Sequence, residues 1–377
     1  MSTTTFDVFK DEAVEAAARG TIGLDEPRAL LERFATLVRE SGTPDEEAAA
    51  RYIVARLQAF GVPVTLYTPD LYISIPERAA LTIAGAKSVR ARPPAMARST
   101  GGDAVEGEVC YVPSRYAAGT SSLFDTPDSA RGATQASDPV TGRIVLTEGF
   151  SMPGTVQAFE RRGALAQIYI HPGERIHEGI CTPIWGAPTI ESLGRKPTTP
   201  VVCINHPDGE ALVADVQRGT VRVTVQTWLR EGWTTCLLPV AEIRGQEDPD
   251  EFLLVHGHYD SWYEGIGDNA TGDAALLELA RVLWTLRDRL KRSVRIAWWP
   301  GHSTGRYAGS TWYADSFADE LDEYCIAQLD IDSPGCAGAT AYEEVMWMAE
   351  ADALCRSSIR DALGLPSERV RPLRAGD

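Results

Sequence analysis

A chain of 377 residues with 44% apolar and 24% charged side chains has the make-up of an ordinary folded protein, and its length suits two or three domains. The 53 acidic residues outnumber the 36 basic ones and leave a formal charge of −17, which argues against a nucleic-acid-binding surface. Met1–Lys10 lacks the pattern of a signal peptide, and no window approaches 18 uninterrupted apolar residues, so no membrane partner is expected. Seven cysteines without a C-x-x-C pair point to free thiols and a cytoplasmic location.

The first 60 residues read as helical. Leu30, Leu31, Phe34, Leu37 and Val38 recur at spacings of three and four, and a second helix is signalled by Thr43 as cap, Pro44 at its first position and Gly61 at its end. Its apolar face is Ala49, Ile53, Leu57 and Phe60. Short strands follow at Val64–Tyr67 and Ala80–Ile83. From about Pro93 to Trp228 short Val/Ile runs are punctuated by Gly, Pro, Ser and Thr, the texture of a β-rich unit. Strands are expected at Ile144–Leu146, Ala164–Ile170, Pro200–Ile204 and Val221–Val225, with helices at Gly154–Gly163 and Asp208–Arg218.

From Thr234 the pattern turns α/β. Strands at Phe252–Val255, Val294–Trp299 and Ile326–Leu329 alternate with helices at Thr271–Arg287 and Ser310–Ala318, which predicts a mixed, mainly parallel sheet flanked by helices. Three domains are thus expected: 1–92, with helices and first strands; 93–228, the β-rich insert; and 229–377, the core that carries the chemistry.

Ligand-type side chains gather at the carboxyl ends of these last strands, where open α/β sheets place their sites. His256-Gly257-His258-Tyr259-Asp260 follows the first strand. Gly267-Asp268-Asn269-Ala270-Thr271-Gly272 opens the next helix, and Asp330-Ile331-Asp332-Ser333 follows the third strand. One imidazole and two carboxylates from separate rigid elements suit a divalent ion with room left for water. Asp260 is placed to hold the other nitrogen of such an imidazole. Singly, Asp268 reads as a helix cap and His256 as a strand-end histidine.

His258-x-Asp260 followed by Gly267-Asp268-Asn269-Ala270-Thr271-Gly272 resembles the zinc aminopeptidase and glutamate carboxypeptidase family, which includes the transferrin receptors. Gly309-Ser310 fits that family's G-S pair, and Asp330-Ile331-Asp332 falls where N-x-D is expected, favouring Asp332 over Asp330 as ligand. The middle region, with Gly142–Leu146, Gly163-Ala164 and Pro200–Ile204, is similar to the protease-associated domain inserted in many members. The resemblance implies a peptide or N-acyl amino acid as substrate and two zinc ions, the first held by His258, Asp268 and Asp332. It leaves a homo-oligomer open.

The family's G-E-E, whose glutamates supply the general base and a ligand to the second ion, is here Gly301-His302-Ser303. No histidine follows His302, so the second ion's distant ligand is also missing. One strong site and a doubtful second one are expected. Only 45 residues follow Asp332, so a truncated carboxyl-terminal part is expected, with the chain stopping at Arg374–Asp377. His302 reads as a general base, as a ligand or as a structural residue. Ser303 becomes a candidate nucleophile only within hydrogen-bond reach of His302. Arg306 reads as a clamp for a substrate carboxylate or as a surface ion pair. The leading expectation is a metal-dependent amide or peptide hydrolase with His302 as base. Its competitors are an inactive homologue used for binding, and a one-metal enzyme with other chemistry, as the related glutaminyl cyclases exemplify.

Overall fold

The computed structural model describes residues 11–84, 87–116, 126–131, 138–335, 337 and 347–363. The readings placed on Met1–Lys10, on the Cys336 thiol and on Arg374–Asp377 lie outside those residues. Three helices come first: α1 (Glu12–Thr21), α2 (Asp25–Phe34) and α3 (Pro44–Phe60). The start of α3 follows its sequence, since the Thr43 hydroxyl accepts from the Glu46 amide and Pro44 fills the first turn. Gly61 ends it at φ 79°, a left-handed conformation that glycine adopts without a Cβ clash. The earlier run is shorter than its periodicity implied. Helix α2 stops at Phe34, Leu37 is buried beyond it and Val38 is exposed. The backbone leaves the helix there and brings Arg39 into the interior.

Two mixed sheets follow. The first has five strands in the order β1 (Val64–Tyr67), β9 (Leu238–Ile243), β11 (Arg292–Trp299), β10 (Asp248–His258) and β12 (Cys325–Asp330). Strand β10 pairs in parallel with β11 and with β12, whereas β9 runs antiparallel to both β1 and β11. The expected mainly parallel sheet is therefore evenly mixed in its pairings, because β9, lying between β1 and β11, runs against the direction of the other four strands. Side chains alternate across it with period two. Ile296 and Trp298 join Leu30, Ile53, Leu57 and Leu276 on the face covered by α2, α3 and α6 (Thr271–Thr285). Ala297 and Trp299 join Phe252, Leu254 and Tyr313 on the face covered by α7 (Ala308–Ser316) and α8 (Ala318–Tyr324). The single helix expected near Ser310–Ala318 is thus two short ones meeting at Phe317.

The second sheet has seven strands, in the order β3 (Lys87–Val89), β2 (Asp70–Ile83), β8 (Arg222–Thr235), β4 (Val105–Tyr111), β5 (Ile144–Glu148), β6 (Ala166–Ile170) and β7 (Val201–Ile204). Helices α4 (Pro153–Arg161) and α5 (His206–Arg218) accompany it. The long β2 and β8 pair in antiparallel fashion from Asp70↔Thr235 to Ile83↔Val223. This sheet therefore draws strands from before residue 93 as well as after it.

Candidate metal centre

Strand β10 is longer than the apolar run Phe252–Val255 because it is paired on both sides. Its ladder with β11 continues to His258↔Trp299, and its ladder with β12 to His256↔Asp330. His258 is therefore the last residue of a central strand, rigidly held and buried, while His256 lies two residues earlier.

The His258 Nδ1–H donates to the Asp260 carbonyl oxygen at 3.0 Å, which fixes the tautomer and leaves Nε2 for other work. That Nε2 lies 2.9 Å from Asp268 Oδ1 and 3.7 Å from Asp332 Oδ1, yet it is buried without a hydrogen-bond partner. Burial acts to lower the His258 pKa, but Asp260, Asp268 and Asp332 outweigh it and hold the ring well above its ordinary range. A field of carboxylates that favours a proton on Nε2 favours a divalent cation there too. Asp332, despite partial burial, is held down to about 2 by His258.

His302 completes the cluster. Its ring stacks on that of His258 at 3.9 Å and 8°, and one ligand atom each from His258, His302 and Asp332 fall within 4.8 Å of one another. Burial and the neighbouring His258 push the His302 pKa down to about 4, so the ring is neutral at pH 7, as a ligand must be. Nitrogen and oxygen donors in this number fit a divalent transition metal, and zinc in particular. Asp268 is on the open side, about half exposed, and makes no helix cap.

A profile of peptidase family M28 matches residues 240–353, the stretch that holds β10, β11, β12 and all these side chains. The chain is an M28 peptidase homologue. It is 33% identical over 124 residues to "Aminopeptidase NAALADL1" of Mus musculus, a match covering 32% of this chain and 16% of that protein. It is 32% identical over 142 residues to "Carboxypeptidase Q" of Bos taurus, covering 36% and 29%. The matched stretches thus span less than a third of these relatives. The fold is similar to that of an M28 peptidase precursor from Shewanella amazonensis (TM-score 0.69, 18% identity, 93% of this chain and 80% of that one). It is also similar to a zinc aminopeptidase from Bacillus subtilis (TM-score 0.64, 18% identity, 90% and 78%).

In this M28 homologue the remaining candidates fall into different places. The Asp260 carboxylate is fully buried but does not make the closest contact with His258, standing 3.4 Å from Nδ1. Oδ1 instead accepts from the His302 amide at 3.1 Å, and Oδ2 accepts from the Ser303 amide at 2.7 Å and from the Ser41 hydroxyl at 2.6 Å. Burial would raise its pKa, but His258, His302 and Ser41 keep it below the ordinary carboxylate range. Asp260 thus positions the loop that carries His302. Asp330 lies beside His256, 3.1 Å from its Nδ1, and does not reach the centre; it gives His256 the carboxylate neighbour that the sequence did not reveal. Ser303 is fully buried and its hydroxyl has no hydrogen-bond partner, so the contact with His302 that a nucleophile needs is absent. Arg306 is not a surface ion pair, being only 6% exposed.

Three contributors escaped the sequence reading. Arg39 is fully buried and donates to the carbonyls of Tyr259 (2.8 Å), Glu264 (2.7 Å) and Gly265 (3.1 Å), tying down the loop between His258 and Asp268. Glu46, in the first turn of α3, accepts from the Gly42 amide at 2.7 Å and the Gly301 amide at 3.2 Å. Burial and Asp260 raise its pKa well above the ordinary range. The third is the 176–186 stretch of the second sheet's unit. It touches the loop after β10 through Tyr263 Oη, which donates to Ile176 O at 2.6 Å, and through His177 packed on Trp262 at 4.5 Å. No sequence signal links any of these to the centre.

Proposed function

We propose that this M28 homologue is a metal-dependent hydrolase of a peptide or related amide bond. The observation that carries the reading is the buried His258 Nε2, without a hydrogen-bond partner and faced by Asp268 and Asp332, with His302 stacked beside it. His258, His302 and Asp332 hold one divalent ion, zinc by family, and Asp268 offers a further carboxylate from the open side. The ion, when bound, polarises a substrate carbonyl and makes water acidic enough to attack at neutral pH. The chain's own residues do the rest. The Asp260 backbone carbonyl keeps the His258 Nδ1 proton in place, so Nε2 remains a lone-pair donor. The Asp260 carboxylate fixes the amides of His302 and Ser303, and Arg39 fixes the loop leading to Asp268. For His302 the ligand role is favoured over the base role, because a ring pushed down to about 4 is a weak proton acceptor at pH 7. We also read the seven-stranded sheet as the family's protease-associated insert and the protein as cytoplasmic.

Gly301-His302-Ser303 in place of G-E-E favours a second reading, a homologue that binds but does not cleave. A panel of dipeptides and N-acyl amino acids, assayed with protein loaded with Zn, Mn, Co or Ni, separates the two. Turnover lost on His258→Ala supports the hydrolase; metal binding without turnover on any member supports the binding protein.

A further inference from the structure

Among the described residues, the other deeply buried arginines have their charge answered. Arg39 reaches backbone carbonyls, and Arg162 pairs with Asp138 at 2.8 Å. Arg306 is as deeply buried but has neither, for among the described residues no carboxylate pairs with it and its Nε has no hydrogen-bond partner. Its guanidinium instead lies over two rings, 5.3 Å from the centre of Tyr307 and 5.7 Å from that of Trp185. Those rings pack 4.6 Å apart, Trp185 being largely exposed and supplied by the second sheet's unit. Tyr307 in turn stands edge-on to His302 at 4.6 Å, so a single ring separates Arg306 from the candidate metal centre. The loop is held in this shape at a cost, since Arg306 and Tyr307 both have positive φ (51° and 64°). It is anchored where the Gly186 amide donates to the Arg306 carbonyl at 2.7 Å.

A buried guanidinium without an anion is expensive, and desolvation already lowers the Arg306 pKa. An arriving carboxylate relieves that cost, and the planar fork suits it bidentately. Extended peptide covers about 3.5 Å per residue, so a group one or two residues from the scissile bond can span the distance past Tyr307. We infer that Arg306, seated between Trp185 and Tyr307, binds a carboxylate of the substrate and selects peptides with a negative charge one or two residues from the bond cleaved. This rests on the reading of the centre as an amide hydrolase.

The test uses the zinc-loaded full chain and three substrates that each release an amino-terminal alanine: Ala-Ala, Ala-Ala-amide and Ala-Glu-amide. Binding of N-acetyl-alanine and of its amide is measured beside them by calorimetry. The expected result is a kcat/KM about 10- to 100-fold higher for a free carboxylate than for Ala-Ala-amide, mainly through KM. Preference for Ala-Ala assigns the α-carboxylate, and preference for Ala-Glu-amide the side chain. Arg306→Met should bring the ratio close to one, and Arg306→Lys should restore part of it. Equal rates and equal binding of acid and amide by the unaltered protein overturn the inference, whether or not the variants fold. Hydrolysis without preference leaves the hydrolase reading standing alone; Arg306-dependent binding of N-acetyl-alanine without hydrolysis of any substrate leaves the inference standing and sinks that reading.

Discussion

Oδ2 of Asp260 accepts the backbone amide of Ser303 at 2.7 Å, tying the loop after β11 to the loop after β10 in a fully buried contact. Its other oxygen takes the His302 amide, so one carboxylate decides where the His302 ring stands relative to His258. Asp260→Asn keeps the shape but offers one acceptor oxygen and turns an NH2 against a backbone N–H. The variant should lose about 2–4 kcal/mol of stability, measured by urea unfolding. Zinc affinity should fall about 10- to 100-fold, as for other groups that orient a metal ligand.

His302→Ala separates the roles of that ring. A ligand leaves with at least a tenfold loss of zinc affinity, roughly the effect of removing even an outer partner. A base, by contrast, leaves metal content intact and lowers only turnover. We expect weaker zinc, read by competition with a chromophoric chelator.

A pH dependence comes from Glu178, buried where the second sheet's unit meets the core. Burial pushes its pKa up to about 7 even though Arg92 sits 2.6 Å away and also pairs with Glu40. Arg92 itself is raised by the same two carboxylates, so the pair attracts, but not enough to offset the desolvation of Glu178. The folded state therefore binds a proton that the unfolded state releases near its ordinary pKa of 4.5. This contribution is fully present below about pH 4.5 and is lost as the pH rises to about 7. Glu178→Gln should remove on the order of 3 kcal/mol of the difference between unfolding free energies at pH 5 and pH 7.5. Urea titrations of both proteins at the two pH values check this.

Much of the centre was legible because its parts are local. His258 closes β10, Asp268 lies just before α6 and Asp332 just after β12, and their motif spacing survives in one dimension. The same is true of α3, whose cap, proline and terminal glycine lie within the helix they define. What stayed hidden depends on long-range contacts. Arg39 meets Tyr259 across 220 positions and Ser41 meets Asp260 across 219, and nothing in either neighbourhood announces the other. Asp330 and Asp332 look alike in sequence. They part company because Asp330 is the last residue of β12, in register with His256, whereas Asp332 lies two residues past the strand end, beside His258. Arg306 was weighed as a surface charge because sequence does not tell that Trp185, 121 positions earlier, closes over it.

His258, His302 and Asp332 are proposed to hold one divalent ion. The most direct measurement is the zinc stoichiometry of the purified chain, by elemental analysis after loading and desalting, beside His258→Ala. The unaltered protein should carry about one ion per chain, and a folded His258→Ala variant almost none. No bound divalent metal in the unaltered protein, or an equal amount in the variant, would contradict it.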